Sequence, residues 1–169
     1  MLHTDKNKSS VNLRPACKSE LARINEIITS AVQTWDLPER VKRLALPSYH
    51  YTEHDFEHLH IVVVEDREAS ILGVAAWEPV AATDSPEGRR ALLLHGIYVD
   101  PPGQRRGIGS RLLHAAVAAA RQQGYDGLLV KVQADAEGFF SSQGLRQLAV
   151  TDENRDYGNR FWLDLAKNI

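Results

Sequence analysis

The chain has 169 residues, 43% of them hydrophobic, and a formal net charge of −2. That balance suits a globular domain with a sizeable core and argues against a general nucleic-acid binder, so Arg105, Arg106 and Arg111 suggest at most a local anion site. Cys17 is the sole cysteine, which excludes an intrachain disulfide, and no stretch approaches the ~20 apolar residues of a membrane span.

Residues 1–10 read as a loose polar leader and 11–169 as the folded domain. "VNLRPA" suits a short strand ended by Pro15. Leu21, Ile24, Ile27, Ile28, Ala31, Val32 and Trp35 then recur at helical spacing, with Ser19 as candidate N-cap. A second helix starts near Pro38 and ends before Pro47. "HIVVVED" and "SILGVAAW" form an antiparallel hairpin, and "PVAATDSPEGRR" is a loop. "ALLLHGIYV" is a long strand, followed by a helix with Ile108, Leu112, Ala116 and Ala119 on one face and Gly124 as its stop. After these come the strand "GLLVKVQ", a short helix over Asp135 to Gln143, the strand "LRQLAV", a polar loop and the strand "NRFWLDL". This order is a mixed α/β (α+β) sandwich around one sheet, without the strict alternation of a Rossmann domain.

Between the long strand and its helix stands "YVDPPGQRRGIGSRLL". Gly107 and Gly109 lack Cβ atoms, so backbone there can approach a ligand, and the free N–H groups of a helix start attract anions. Gln104, Arg105 and Arg106 can add hydrogen bonds to phosphate oxygens. The plain alternative is a turn whose glycines serve geometry and whose arginines are solvated. The P-loop spacing is absent, and the kinase and dinucleotide fingerprints need a third glycine where Leu112 stands.

Gln104-Arg105-Arg106-Gly107-Ile108-Gly109 resembles the Gln/Arg-x-x-Gly-x-Gly/Ala signature of the GNAT superfamily of acetyl-CoA-dependent N-acetyltransferases. "LRPACKSEL", "IYVDP" and "ADAEGFFSSQGL" are similar to further segments of that family, in the same order, over roughly residues 11 to 165. The resemblance implies a single domain with a mostly antiparallel twisted sheet, flanked by helices, whose middle strands splay apart. It implies acetyl-CoA as co-substrate, with the pantetheine arm between the strands ending at Val99 and Gln133, hydrogen-bonded around Ile97, Tyr98 and Val99. The pyrophosphate would lie on Gln104, Arg105, Arg106, Gly107, Ile108, Gly109 and Ser110, with Phe139 and Phe140 flanking the arm. No metal is implied.

Direct attack of an amine on a thioester needs a base, because an alkylammonium has a pKa near ~10.4. It also needs a donor for the oxyanion, by resemblance a backbone N–H near Ile97 or Tyr98. His95 is the first candidate base, sharing a strand face with Ala91 and Leu93; the alternative is a histidine hydrogen-bonded into the core. Glu78, at the end of the neighbouring strand, is the second, against an ordinary exposed carboxylate. The strand carboxylate of several family members has no counterpart here, and Phe140 replaces the tyrosine many members use as acid. Tyr98 is expected on the face opposite His95 and Ile97, and Tyr157 lies in a loop, so no acid is assigned.

His50, His54, His58 and His60 crowd one segment, which reads as a solvated or acceptor-facing wall rather than a metal site. Together with loops 79–90 and 151–158 it borders the acceptor site in the resemblance. Cys17 reads as a buried or inert thiol. The expected protein is cytoplasmic, acetylates a primary amine of a small molecule or peptide, binds neither nucleic acid nor membrane, and is compatible with a homodimer. Two other classes stay open: a non-catalytic acyl-CoA-binding module, and a nucleotide-binding protein.

Overall fold

The computed structural model describes residues 10–132, 136–151, 153 and 158–165; residues 1–9 of the expected leader, Gln133 and Tyr157 fall outside these. The elements are β1 (Asn12–Pro15), α1 (Leu21–Gln33), α2 (Glu39–Tyr49), α3 (Asp55–His58), β2 (His60–Glu65) and β3 (Ile71–Val80) in the first half. In the second are β4 (Ala91–Val99), α4 (Ile108–Gln122), β5 (Gly127–Lys131), α5 (Glu137–Ser142), β6 (Arg146–Gln147) and β7 (Arg160–Asp164). Among the described residues, seven strands form one sheet in the order β1-β2-β3-β4-β5-β7-β6. Only β4 and β5 pair in parallel. The mixed α/β class and mostly antiparallel sheet are as the sequence leads one to expect.

The central strands feed two cores because side chains alternate across the pleat. Val62 and Val64 of β2, with Leu92 and Leu94 of β4, meet Ile108, Leu112, Leu113, Ala116 and Ala120 of α4. Ile61 and Val63 turn the other way and meet Ile24, Ile27, Ile28, Ala31 and Val32, the apolar stripe of α1. Burying a side chain such as Ile27 contributes about 1.5–3 kcal/mol, so these two stripes dominate the helix–sheet attachment. A smaller cluster of Ala91, Leu129 and Trp162 covers the α1 face farther along the sheet.

Several boundaries differ from expectation. Ser19 is not the cap of α1: Lys18–Glu20 form a 3₁₀ turn, and the Glu20 carboxylate accepts the Cys17 N–H at 2.9 Å. α2 runs through Pro47, because the proline lies near the helix end and removes only the bond to the exposed Arg43, whose carbonyl water can satisfy. β3 extends to Val80, so Glu78 lies within a strand rather than at its end. Its Pro79 lies beyond the last pairing with β2, where that edge of β3 is open. The strand expected over 145–150 shrinks to Arg146–Gln147, which pair with Trp162 and Phe161 of β7, followed by a single bond from the Leu148 N–H to the Arg160 carbonyl. Cys17 is exposed, not buried. No helix of the described residues is long and apolar enough to cross a membrane.

Candidate functional site

The strand β4 contains one residue too many. Its pairing with β3 runs Gly96 with Ala76, then Leu94 with Trp77, which leaves His95 as the extra residue of a β-bulge. A bulge reverses the alternation of faces. Before it Leu92 and Leu94 face α4; after it Ile97 does, and Tyr98 packs on the α1 face with Val74 and Ala76. Glu78 stands opposite Leu93 on that same α1 face, and His95 Nε2 lies 3.0 Å from Glu78 Oε1. The two candidate bases are therefore one hydrogen-bonded pair, about a third exposed at 33% and 29%. The expected separation of Tyr98 from His95 is corrected: period-two counting holds only in an unbroken strand, and the bulge brings both to one face.

The parallel pairing of β4 with β5 covers only Ala91–Leu94 against Gly127–Val130. Among the described residues, the β5-facing edge of β4 has no strand partner beyond Leu94. A cavity of about 100 Å³ occupies this divergence, lined by Trp35, Tyr49, His95, Ile97, Tyr98 and Phe140 among others. Phe140 is buried in the α4-side core, while the Phe139 ring turns toward Gly109. Trp35 meets Tyr49 edge-on at 5.3 Å and stacks on Tyr98 at 6.5 Å between centroids. Burial pushes the Tyr98 phenol well above the ordinary tyrosine range, so it stays protonated. Trp35, Tyr49 and Lys131 also line the cavity, and sequence reading missed them as site residues. Trp35 and Tyr49 sit at helix ends, where an aromatic residue carries no signal separating core from cavity wall.

The segment after β4 carries the glycine signature of residues 104–109. Gly107, with φ +73° and no side chain, is the N-cap of α4. The first helical bond is made by the Arg111 N–H to the Gly107 carbonyl. Among the described residues, no protein acceptor takes the amides of Arg105, Arg106, Gly107, Ile108, Gly109 or Ser110. Gln104 to Gly107 are exposed, Arg105 and Arg106 have no ion-pair partner among the described residues, and the first turn of α4 holds no acid. Bare amides at a helix start with two exposed guanidinium groups beside them can hold an anion. At Gly109 an added Cβ would meet Phe139 only at ordinary contact distance, 3.6 Å.

Of the clustered histidines, only His54 and His58 stay together, their rings 5.0 Å apart. His50 bonds Thr29 at 2.8 Å, His54 and His58 pair with Glu57 and Asp55, and His60 lies against Trp77. Among the described residues no group of three metal-ligating side chains converges.

Comparison with known proteins places this geometry. A chain 33% identical over 114 residues is the L-methionine sulfoximine/L-methionine sulfone acetyltransferase of Pseudomonas aeruginosa, and its counterpart in Pseudomonas paraeruginosa matches equally; the match spans 63% of this chain and 61% of each relative. Among solved structures, a GNAT family acetyltransferase of Brucella melitensis in complex with acetyl-CoA superposes with TM-score 0.65 at 17% identity, over 95% of this chain and 92% of that one. The PaiA N-acetyltransferase of Thermoplasma acidophilum, in complex with coenzyme A, gives 0.69 at 12% identity, over 90% and 96%. The family model for acetyltransferases of the GNAT type matches residues 24–145, a span holding the bulged strand, the bare amides and α5. The chain belongs to the GNAT acetyltransferase family.

Proposed function

We propose that this protein transfers the acetyl group of acetyl-CoA to a primary amine of a small molecule or peptide. The observation that carries the reading is the succession, along fifteen residues or so of chain, of a hydrogen-bonded His–Glu pair, an unpaired strand edge and a run of bare amides at a helix start. The family relationship supports the same reaction. The Pseudomonas relatives are named as acetyltransferases of L-methionine sulfoximine and L-methionine sulfone, and a small amino-acid-like acceptor is the one we favour here.

The bound co-substrate supplies the thioester. The amides from Arg105 to Ser110 would hold its pyrophosphate, helped by the side chains of Gln104, Arg105, Arg106 and Ser110, with Gly107, Ile108 and Gly109 leaving space for close approach. The open edge at Ile97 to Val99 would take its amide-bearing arm as an added strand, with Phe140 walling the gap.

His95 is the general base. Because an ionised Glu78 can only accept hydrogen bonds, Nε2 donates to it and Nδ1 keeps the lone pair. Glu78 thereby fixes the tautomer and stabilises the imidazolium formed when Nδ1 takes the amine proton. The demand is real: at pH 7 an alkylamine of pKa ~10.4 is free in only roughly 4 molecules per 10,000. A main-chain N–H at Ile97 or Tyr98 donates to the carbonyl oxygen as it becomes negative.

Thermal shifts with coenzyme A, acetyl-CoA, ATP and NAD, followed by thiol release on an amine panel, test the proposal. Stabilisation by coenzyme A and acetyl-CoA with turnover is expected, about 2.7 kcal/mol at a hundred times the dissociation constant. Stabilisation by ATP or NAD alone overturns it, and tight acetyl-CoA binding without turnover on any amine reduces the protein to a binding module. Sedimentation equilibrium on the same sample distinguishes monomer from homodimer.

A further inference from the structure

The cavity beside His95 joins the two faces of the sheet. Of its lining, Ile97 and Phe140 belong to the core under α4, and Trp35, Tyr49 and Tyr98 to the core under α1. The bare amides stand at the start of α4, so the co-substrate would reach the cavity from the α4 side. The α1 side, where His95 and Glu78 lie, is left to the acceptor.

On that side the Tyr98 hydroxyl is a polar group that the fold does not use. The residue is only 5% exposed and lines the cavity, yet its hydroxyl has no hydrogen-bond partner among the described residues. A buried donor left unpaired is costly, so a phenylalanine would serve the packing better.

The surroundings hold the phenol in place. Gly96 makes room for it: a Cβ there would fall 2.8 Å from Cε2 and 2.9 Å from both Cζ and the hydroxyl oxygen of Tyr98. The tip of the ring therefore rests on the main chain next to His95. Trp35 lies nearly parallel to Tyr98, at 20°, and Tyr49 meets Trp35 and Tyr98 at 5.3 and 6.4 Å between centroids. Tyr49 is fixed in turn by the residues after it. Asn25 of α1 exchanges two 2.9 Å hydrogen bonds with the main chain of Tyr51, and His50 bonds Thr29.

We infer that Tyr98 determines acceptor specificity: its hydroxyl donates a hydrogen bond to a carbonyl oxygen on the carbon beside the amine-bearing one, so the preferred acceptors are α-amino amides and α-amino acids rather than plain alkylamines. Trp35 and Tyr49 form the wall that keeps the phenol aimed. The proton stays on the phenol throughout. The reach agrees, since the phenol tip rests one residue from the base that takes the amine proton, which puts the matching oxygen a few bonds from the amine. The inference rests on the acetyl-transfer reading for its turnover but not for its binding.

Alaninamide and 3-methylbutan-2-amine test it, because two methyl groups in the second replace the carbonyl oxygen and amide nitrogen of the first. A neutral amide keeps charged neighbours such as Lys131 from deciding the outcome. The two amines differ in basicity, which comparison of wild type with variant cancels. The ratio of their kcat/KM values should fall about tenfold in Tyr98→Phe, chiefly through the KM of alaninamide, as expected for one lost hydrogen bond. Gly96→Ala, which pushes the phenol tip aside, should lower the ratio as well. Calorimetric titration of the protein with alaninamide should show the same weakening in Tyr98→Phe without any reaction. Urea denaturation of that variant should give a midpoint equal to or above the wild type's, because the hydroxyl bonds to nothing in the unliganded fold. A ratio that Tyr98→Phe leaves unchanged overturns the specificity role and leaves acetyl transfer standing. Alaninamide binding that weakens with loss of the hydroxyl, without turnover of either amine, overturns acetyl transfer and leaves the contact. A lowered urea midpoint in Tyr98→Phe gives the hydroxyl a structural partner and overturns the inference.

Discussion

His95 and Glu78 come from adjacent antiparallel strands and meet at 3.0 Å on the face that Leu93 shares, and the bulge at His95 brings Tyr98 onto that face as well. His95→Ala should lower turnover by about 10²–10⁴-fold near neutral pH, with the deficit shrinking at high pH where free amine is abundant. Acetyl-CoA affinity should hold. Glu78→Gln should cost less and should shift the pH–rate profile, since the amide cannot stabilise the imidazolium as a carboxylate does. Steady-state kinetics across pH check both; undiminished activity of the alanine variant would remove His95 from the mechanism.

The two signature glycines should respond differently. At Gly107 a Cβ meets open space but φ is +73°, so Gly107→Ala should destabilise the fold by about 1 kcal/mol through backbone strain, seen in urea denaturation. Gly109 has an ordinary helical position with Phe139 at contact distance. Gly109→Trp should therefore fold but fill the approach to the amides and abolish the thermal shift with coenzyme A. A folded tryptophan variant with an unchanged shift would falsify that placement.

Tyr98 shares the His95 face, yet it is a poor proton source. Burial raises its phenol further above an ordinary thiol's pKa of ~8.5, so protonating a departing thiolate from it runs uphill. Tyr98→Phe should lower kcat by less than about tenfold and leave the alkaline limb of the pH–rate profile where it is. Movement of that limb would make Tyr98 the acid.

Arg14 joins Glu20 and Glu65 and so ties β1 to the start of α1 and to β2. Its guanidinium holds the Glu20 carboxyl below the usual range, chiefly by the side-chain hydrogen bond. A carboxylate with a lowered folded-state pKa contributes stability that is present above its unfolded pKa and is lost as pH falls through the folded one. Glu20→Gln should cost about 1 kcal/mol at pH 7, after solvent screening, and the difference should close below about pH 4. A gap that stays constant down to pH 2 would mean the carboxylate's charge is not what stabilises.

Much of this was legible in the residues. The α1 stripe from Ile24 to Val32, the β2–β3 hairpin and the glycine-flanked helix start announce themselves through local periodicity and backbone chemistry. What was not legible depends on partners distant in sequence. The bulge at His95 has no local signature, because it arises from a mismatch in length between β3 and β4, and the face of Tyr98 follows from it. Pro79 and Val80 read as loop by composition but pair with Leu92 and Ala91. Lys131 and Arg160 become neighbours only once β5 and β7 stand side by side.

The short parallel seam has a mechanical corollary. Among the described residues, four strand pairs, Ala91 to Leu94 against Gly127 to Val130, with the bonds of Arg89 and Arg90 at their start, join the sheet's two halves. Whatever lodges along the frayed remainder acts as mortar as well as cargo, so amide exchange and protease nicking should slow on both banks of the cleft together when it is filled. A cell short of that filler would then find the protein easier to pry open, making its lifetime a gauge of supply.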